Sequence, residues 1–224
     1  MSNKTHLKLR DFNLITVATQ SILRSTAIPS YFPDLERSCT MFAFCGALTL
    51  TQTYRIPAKV FAGNFFVRQP GSDIVLSYAE GETVEGDSAR QGFHAWVQTD
   101  THIIDFMSPL YPNIVERHPQ ASHTEKLERR MLQIRLDDQA QSWEEFEAGM
   151  PILTDPTLYR TTDVVSIFSE NTSLQSMANL TSQWVKLLRK NPKAVMDIGS
   201  DRGDHIRLKP LGLTASKSWP LTKP

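Results

Sequence analysis

The chain has 224 residues, 40% hydrophobic and 21% charged, a size and mix that suit one globular core with elaborations better than two independent domains. Lys plus Arg number 24 and so do Asp plus Glu, a formal net charge of zero, so nothing global draws the chain onto nucleic acid or an anionic membrane. There is no repeat, no apolar signal core at the N-terminus and no run of the roughly 18 uncharged apolar residues a spanning helix needs, so a cytoplasmic location is expected.

Residues 7–24 place Leu7, Phe12, Leu14, Ile15, Ala18, Ile22 and Leu23 at the spacing of an amphipathic helix. Pro29 and Pro33 then interrupt the chain. Residues 39–54 carry no charge at all, and a helix there, apolar on nearly all sides, has to be buried. After Ile56-Pro57, the runs 59–67, 73–79, 93–98 and 102–106 are rich in β-branched and aromatic residues and read as strands. Gly71-Ser72 and Thr99-Asp100-Thr101 are their turns. Residues 131–136 offer another strand, and 172–190 a second long helix ended by Asn191-Pro192. Residues 141–156 show no clear period; Trp143, Phe146 and Met150 suit a loop or short helix that covers something apolar, as a lid would. The tail from Lys209, with Pro210 and Pro220, reads as irregular. A buried helix followed by antiparallel strands makes the expected class α+β, the helix packing across the sheet.

Ser38 can cap the buried helix, which makes Cys39 its first residue. There, unpaired backbone N–H groups and the positive end of the helix dipole favour an anion and lower a thiol pKa. In a competing register Asp34 caps a helix from near Leu35 and Cys39 is interior and inert. No capping box decides, because the residue three after Ser38 is Met41. His94 lies in Gly92-Phe93-His94-Ala95-Trp96-Val97-Gln98, a strand that puts His94, Trp96 and Gln98 on one face. Asp105 follows a short turn, so a hairpin brings it within reach of the imidazole. A carboxylate on one ring nitrogen leaves the other to take a cysteine proton. Taken singly, each residue has a plainer reading: a cysteine in an apolar helix is usually structural, and an aspartate at a strand end usually caps a turn.

Together, Cys39-Thr-Met-Phe-Ala43, Ile56-Pro-Ala-Lys-Val-Phe-Ala-Gly63, His94-Ala-Trp-Val97 and Ile104-Asp105 resemble, in order, the pattern of the transglutaminase-like and papain-like cysteine proteinase superfamily. The resemblance covers residues 38–108. It implies a cysteine-proteinase fold over the single domain 1–224, with 110–224 as elaboration, and assigns Cys39 as nucleophile, His94 as base and Asp105 as orienter, with Trp96 walling the cleft. The chain departs from the pattern at Arg55, where glycine is common, at Asp105-Phe-Met-Ser-Pro109, where Asp-Pro is usual, and in having no glutamine shortly before Cys39, which leaves the second oxyanion donor unassigned. The whole chain also resembles a group of uncharacterised bacterial proteins with a cysteine-proteinase-like fold. The function so implied is a thiol hydrolase or acyltransferase, acting on an amide or ester of a peptide or small-molecule acyl substrate and needing no cofactor. The rival is a non-catalytic protein that keeps the fold and binds a peptide or ligand in the cleft.

A zinc site from Cys39, His94, His102 and Asp105 has suitable ligand types but no CxxC or HxxxH pair. His6, His118, His123 and His205 lie in polar surroundings and receive no role. The acidic run 197–204 lacks the terminal glutamate of an EF-hand and reads as a turn. Cys45 falls inside the apolar helix, where burial raises a thiol pKa. It cannot bridge to Cys39, since six residues of helix rise about 9 Å, beyond the roughly 7 Å limit.

Overall fold

The computed structural model describes residues 7–25, 35, 38–79, 92–117, 127–199 and 205–220. Pro29, Pro33, Asp34, His6, His118 and His123 lie outside the described residues, as does part of the 197–204 run. The first helix, α1, is Leu9–Ser25, and the second, α2, is Cys39–Thr49. The helix therefore begins at Cys39, and the register that would bury it mid-helix is not adopted. A wider π-helical turn, Leu50–Tyr54, continues α2 and ends at Arg55, whose φ of 61° and ψ of 32° are left-handed. That is the position where the resembled pattern has glycine, the residue that adopts this conformation without a Cβ penalty. Arg55 is exposed, so Arg55→Gly is expected to raise stability by about 0.5–1 kcal/mol, read as a higher urea midpoint at unchanged slope.

The strands are β1 (Lys59–Arg68), β2 (Val75–Tyr78), β3 (His94–Gln98) and β4 (His102–Asp105). After a short helix α3 (Tyr111–Glu116) comes β5 (Arg130–Arg135), the strand expected at 131–136. The segment 141–156 resolves into α4 (Trp143–Glu147) and β6 (Ile152–Pro156). Trp143 and Phe146 of α4 pack on Phe66 of β1, with ring centroids 5.1 and 6.3 Å away, so this segment covers the sheet. Helices α5 (Leu158–Glu170) and α6 (Thr172–Lys190) follow, then a hairpin of β7 (Met196–Gly199) and β8 (His205–Leu208), and last the two-residue β9 (Lys217–Ser218).

Seven of these strands form one mainly antiparallel sheet, with only β9 joining in parallel, on β5. The molecule is thus a mixed α+β fold. Gly63 of β1 pairs with His94 on β3 and with Pro156 on β6, so those strands occupy opposite edges of β1. Val67 pairs with Leu76 on β2 and Ile152 on β6, which puts β2 on the same edge as β3. The two strands lie end to end along β1 as one interrupted strand. Ala79 and Gly92 meet at the interruption, where a Cβ on Gly92 would come within 2.9 Å of the Ala79 carbonyl oxygen. Tyr78, opposite Phe65, and His94, opposite Gly63, therefore occupy successive positions on one face, although fifteen residues separate them in sequence.

Helices α1 and α6 enclose α2, which also packs on β3. The core between them includes Phe12, Ile15, Met41, Phe42, Trp184 and Leu188, all buried. The tail is irregular from Lys209 to Ser216 yet firmly held. Asn13 and Gln20 on α1 each exchange two hydrogen bonds with the backbone, of Ala215 (2.9 and 2.9 Å) and Leu213 (2.8 and 2.9 Å). Two side-chain amides at helical spacing thus serve the tail as a strand edge would, satisfying polar groups whose burial would otherwise be costly. Among the described residues, no helix is long and apolar enough to cross a membrane.

Candidate active site

Cys39 is the first residue of α2, behind Ser38 at the N-cap, which makes no side-chain capping bond. The first turn is therefore not closed by its cap, and its N–H groups present the positive end of the helix dipole. His94 opens β3 and Asp105 closes β4, and the turn at 99–101 returns the chain as expected for a hairpin. Extending the observed pairing of Val97 with Ile104 by one residue sets Asp105 across from Trp96, on the His94 face. The three residues meet. His94 Nε2 donates to Asp105 Oδ2 at 2.9 Å with both groups buried. Nδ1 makes no hydrogen bond within ordinary distance limits, and the Cys39 thiol lies near enough for each group to shift the other's titration. Compared with a serine-protease triad, the two ring nitrogens exchange roles.

Burial pushes the Cys39 thiol up, but hydrogen bonding and charge from His94, with smaller help from the Ala95 backbone N–H and the Thr40 hydroxyl, bring it below its ordinary value. Burial likewise pushes His94 down, and the Asp105 carboxylate, then the thiolate, reverse this and raise the imidazole to about 10. The two shifts share one cause, the attraction between a negative sulfur and a positive imidazole, so the two groups titrate as a coupled pair. Cys45, six residues on, is the contrast. Burial drives its thiol up to about 11, the Thr181 and Thr19 hydroxyls only partly opposing it, and Thr181 Oγ1 donates to its sulfur at 3.3 Å.

The pair has a signature in stability. Cys39, lowered in the fold, contributes stability that is complete above the unfolded thiol value of about 8.5 and is lost as pH falls through its folded pKa. His94, raised in the fold, contributes stability that is complete below about 6.5 and is lost as pH rises through about 10. Because Asp105 raises the imidazole in both chains, the stability difference between the native chain and Cys39→Ala is expected to grow with pH from the folded thiol value up to about 8.5 and to fall again only as His94 deprotonates near 10. Urea unfolding of both chains across pH 5–10 measures it, and a flat difference would contradict the ion pair.

Several supporting residues were not marked in the sequence. Tyr111, the first residue of α3, donates its hydroxyl to Asp105 Oδ2, and the Met107 backbone N–H donates to Oδ1 at 2.8 Å. With His94, these hold both oxygens of the carboxylate. The Ser108 hydroxyl bridges the carbonyls of Asp105 (2.8 Å) and Arg130 (3.0 Å), and accepts from Leu132 N–H at 3.0 Å, which pins the end of β4 to β5. The sequence signal for this turn is Ser108-Pro109, three residues after the strand end. The His94 ring packs against both Phe65 and Tyr78, with centroids at 4.5 and 4.6 Å. The Tyr78 hydroxyl is buried without a hydrogen-bond partner, and burial, with the charges of Asp105 and Cys39, holds its pKa well above the ordinary value, so it keeps its proton.

Trp96 is fully buried between Phe61 and Phe65, and its indole N–H has no partner. His102 lies at the other end of β4 from Asp105, bonded to Thr101 Oγ1 at 2.8 Å. Among the described residues, no group of three His, Cys, Asp or Glu side chains is placed to hold a metal ion. His205 lies exposed at the start of β8.

Residues 8–219 match the family described as protein of unknown function, DUF2026. The chain belongs to this family. No curated protein matches it. Among solved structures it is similar to the crystal structure of genomics APC5867, at 21% identity and a TM-score of 0.74, with 95% of this chain and 97% of that chain covered. At that identity the likeness is one of fold.

Proposed function

We propose that the chain is a thiol hydrolase or acyltransferase with a cysteine-proteinase-like fold, working on an amide or ester through Cys39, His94 and Asp105. The observation that carries the reading is the opposition of two buried thiols: that of Cys39 is lowered by an imidazole whose far nitrogen is fixed on a carboxylate, while that of Cys45 is raised. A structural cysteine has no use for such a partner.

In this reading the Cys39 thiolate attacks the acyl carbon, a C–S bond forms, and the carbonyl electron pair moves onto oxygen. The oxyanion lies against the first-turn N–H groups of α2. Tyr78, with an unengaged hydroxyl beside the imidazole, is the group we assign as second donor in place of the missing glutamine. Collapse of the intermediate breaks the bond to the leaving amine or alcohol, which takes the Nδ1 proton of His94. Water, or an acceptor amine, then gives a proton back to His94 and attacks the thioester, releasing Cys39. Asp105, held by Tyr111 and Met107, keeps the ring in place through both steps.

The test is capture of the intermediate. Incubation with peptide, aryl-ester and acyl-CoA panels should give an intact-mass increase equal to the acyl group on Cys39, reversed by hydroxylamine and absent in Cys39→Ser. A Cys39 that takes up no acyl group from any panel, while still alkylating readily, favours the ligand-binding alternative. Once a substrate is found, Tyr78→Phe is expected to lower kcat by about 100-fold or more while leaving the alkylation rate of Cys39 unchanged. Equal loss in both would make Tyr78 a packing residue.

A further inference from the structure

Charge is balanced over the whole chain but not over its surface. Where α6 stops and α1 begins, Arg10, Arg55, Lys186, Arg189, Lys190 and Lys193 are all exposed, and hydrogen bonds bring their elements together. Arg10 donates through Nη2 to the Arg189 carbonyl at 3.1 Å, and Arg189 donates through Nη1 to the Thr53 carbonyl at 3.4 Å. The Arg189 guanidinium also lies over the ring of Tyr54, at 4.6 Å, next to Arg55. Lys186 and Lys190 stand one turn apart on the outer face of α6, beside Arg189. No acid balances this group: residues 37–72 and 171–196 contain no Asp or Glu. Asp11 accepts from the Tyr54 hydroxyl at 3.0 Å, and Asp197 is taken by Arg207 through bonds of 2.7 and 3.1 Å. Among the described residues none of these exposed cations forms an ion pair.

Helix dipoles explain only part of this placement. Arg189 and Lys190, in the last turn of α6, face its negative end and are favoured there. Arg10, in the first turn of α1, faces a positive end, and Lys8 just before the helix adds to the same charge. Cations set against the dipole weaken the fold, so their use lies outside it. The apolar side chains of the same surface indicate which anion they meet. Leu187, 44% exposed, shares the outer face of α6 with Lys186 and Lys190. Val195, 46% exposed, follows on the turn that the Trp184 indole N–H ties to α6 through the Ala194 carbonyl at 3.0 Å. Exposed aliphatics among lysines suit the boundary between lipid headgroups and acyl chains, and gain nothing against a phosphodiester backbone. Tyr54, with one face under Arg189 and its hydroxyl on Asp11, is not presented as a platform for a base.

We propose that this end of the molecule docks on an anionic lipid membrane. The cations lie among the headgroups, and Leu187 and Val195 reach below them. With no spanning helix among the described residues, the association is peripheral and reversible, and it rests on charge and aliphatic contact together. It does not depend on the proposed thiol chemistry, since none of the residues named for that chemistry belongs to this surface.

Co-sedimentation of the full chain with lipid vesicles tests the proposal. At about 0.1 M salt the chain should bind vesicles holding about 30 mol% phosphatidylserine at least about tenfold more tightly than vesicles of phosphatidylcholine alone, and about 0.5 M salt should abolish the preference. A cation near such a surface contributes about fivefold, so Lys186→Gln with Lys190→Gln should weaken binding about 25-fold. Leu187→Ser, which changes no charge, should weaken it at least about threefold. Equal binding to the two kinds of vesicle, full affinity in the double lysine variant or in Leu187→Ser, or a DNA duplex bound more tightly than the anionic vesicles would each overturn it. An unchanged Tm shows that the variants are folded, and if the double variant is not, Lys186→Gln alone decides. Cys39→Ser should bind vesicles as the native chain does, which keeps this outcome separate from the fate of the thiol reading.

Discussion

His94→Ala is expected to slow alkylation of Cys39 by iodoacetamide at least about tenfold at pH 6. In the native chain the imidazole holds the thiol below its ordinary value, so a larger share of it is thiolate at acidic pH than in a free cysteine. Without it, only burial and the weaker Ala95 and Thr40 contacts remain, and burial pushes up. A thiol at about 8.5 is roughly 0.3% ionised at pH 6. Part of that gain in thiolate is offset because a low-pKa thiolate is a poorer nucleophile, by roughly threefold for each unit, which leaves about one order of magnitude. The pH–rate profile carries more information than any single rate. In the native chain the midpoint should lie well below 8.5, and in His94→Ala it should move above it. Asp105→Asn should fall between the two, because the ring loses its charge partner but keeps a hydrogen-bond acceptor and the contacts with Phe65 and Tyr78. Cys45, buried and raised to about 11, should stay silent in the folded chain and serves as the internal control. A native profile that follows a free thiol, or one that His94→Ala leaves unmoved, would remove the basis for the proposed activity.

The second large effect is structural and reaches the same site from behind. Gly46 lies in the middle of α2, and a Cβ there would stand 2.2 and 2.3 Å from two ring carbons of Phe106. Phe106 cannot swing away freely, since Phe12 of α1 stacks on it at 5.0 Å and its carbonyl accepts from Thr16 Oγ1 at 3.1 Å. Gly46→Ala is therefore expected to destabilise the fold by about 2 kcal/mol or more, despite alanine's better helix propensity. For a chain of this size that is a fall in Tm of roughly 4–8 °C. Because Phe106 directly follows Asp105, any relief by backbone movement displaces the carboxylate. The alkylation profile of Gly46→Ala should then move toward that of Asp105→Asn. Calorimetry and the alkylation series read the two consequences separately. An unchanged Tm would mean that α2 and the end of β4 are less tightly opposed than the structure has them.

The candidate site was legible largely because its residues declare themselves by local pattern. An uncharged run beginning at Cys39 can only be a buried helix, and His94 and Asp105 sit on two short alternating strands joined by a turn, so their approach follows from hairpin geometry. The sequence left two registers open at the start of α2, because both Asp34 and Ser38 are capping residues. Packing of the apolar helix decided between them. Arg55 is the converse: its departure from the glycine of the resembled pattern was visible in the sequence, but only the backbone shows that the turn keeps the left-handed conformation in spite of it.

What escaped the sequence depends on pairing between distant segments. Strand β6 has a short, unperiodic sequence and exists because the free edge of β1 accepts it. The tail from Lys209 has no pattern of its own, since its partners are side chains of α1 nearly two hundred residues earlier. Tyr111 and Tyr78 look like any buried aromatics until the turn after β4 and the end-to-end alignment of β2 and β3 bring them to Asp105 and His94. The sequence by itself thus determined the candidate residues and the α+β class, because both rest on periods of two to four residues and on one short turn. The tertiary structure alone decided which thiol is lowered and what holds the carboxylate, because charge, burial and hydrogen bonding act through space between segments that no local pattern connects.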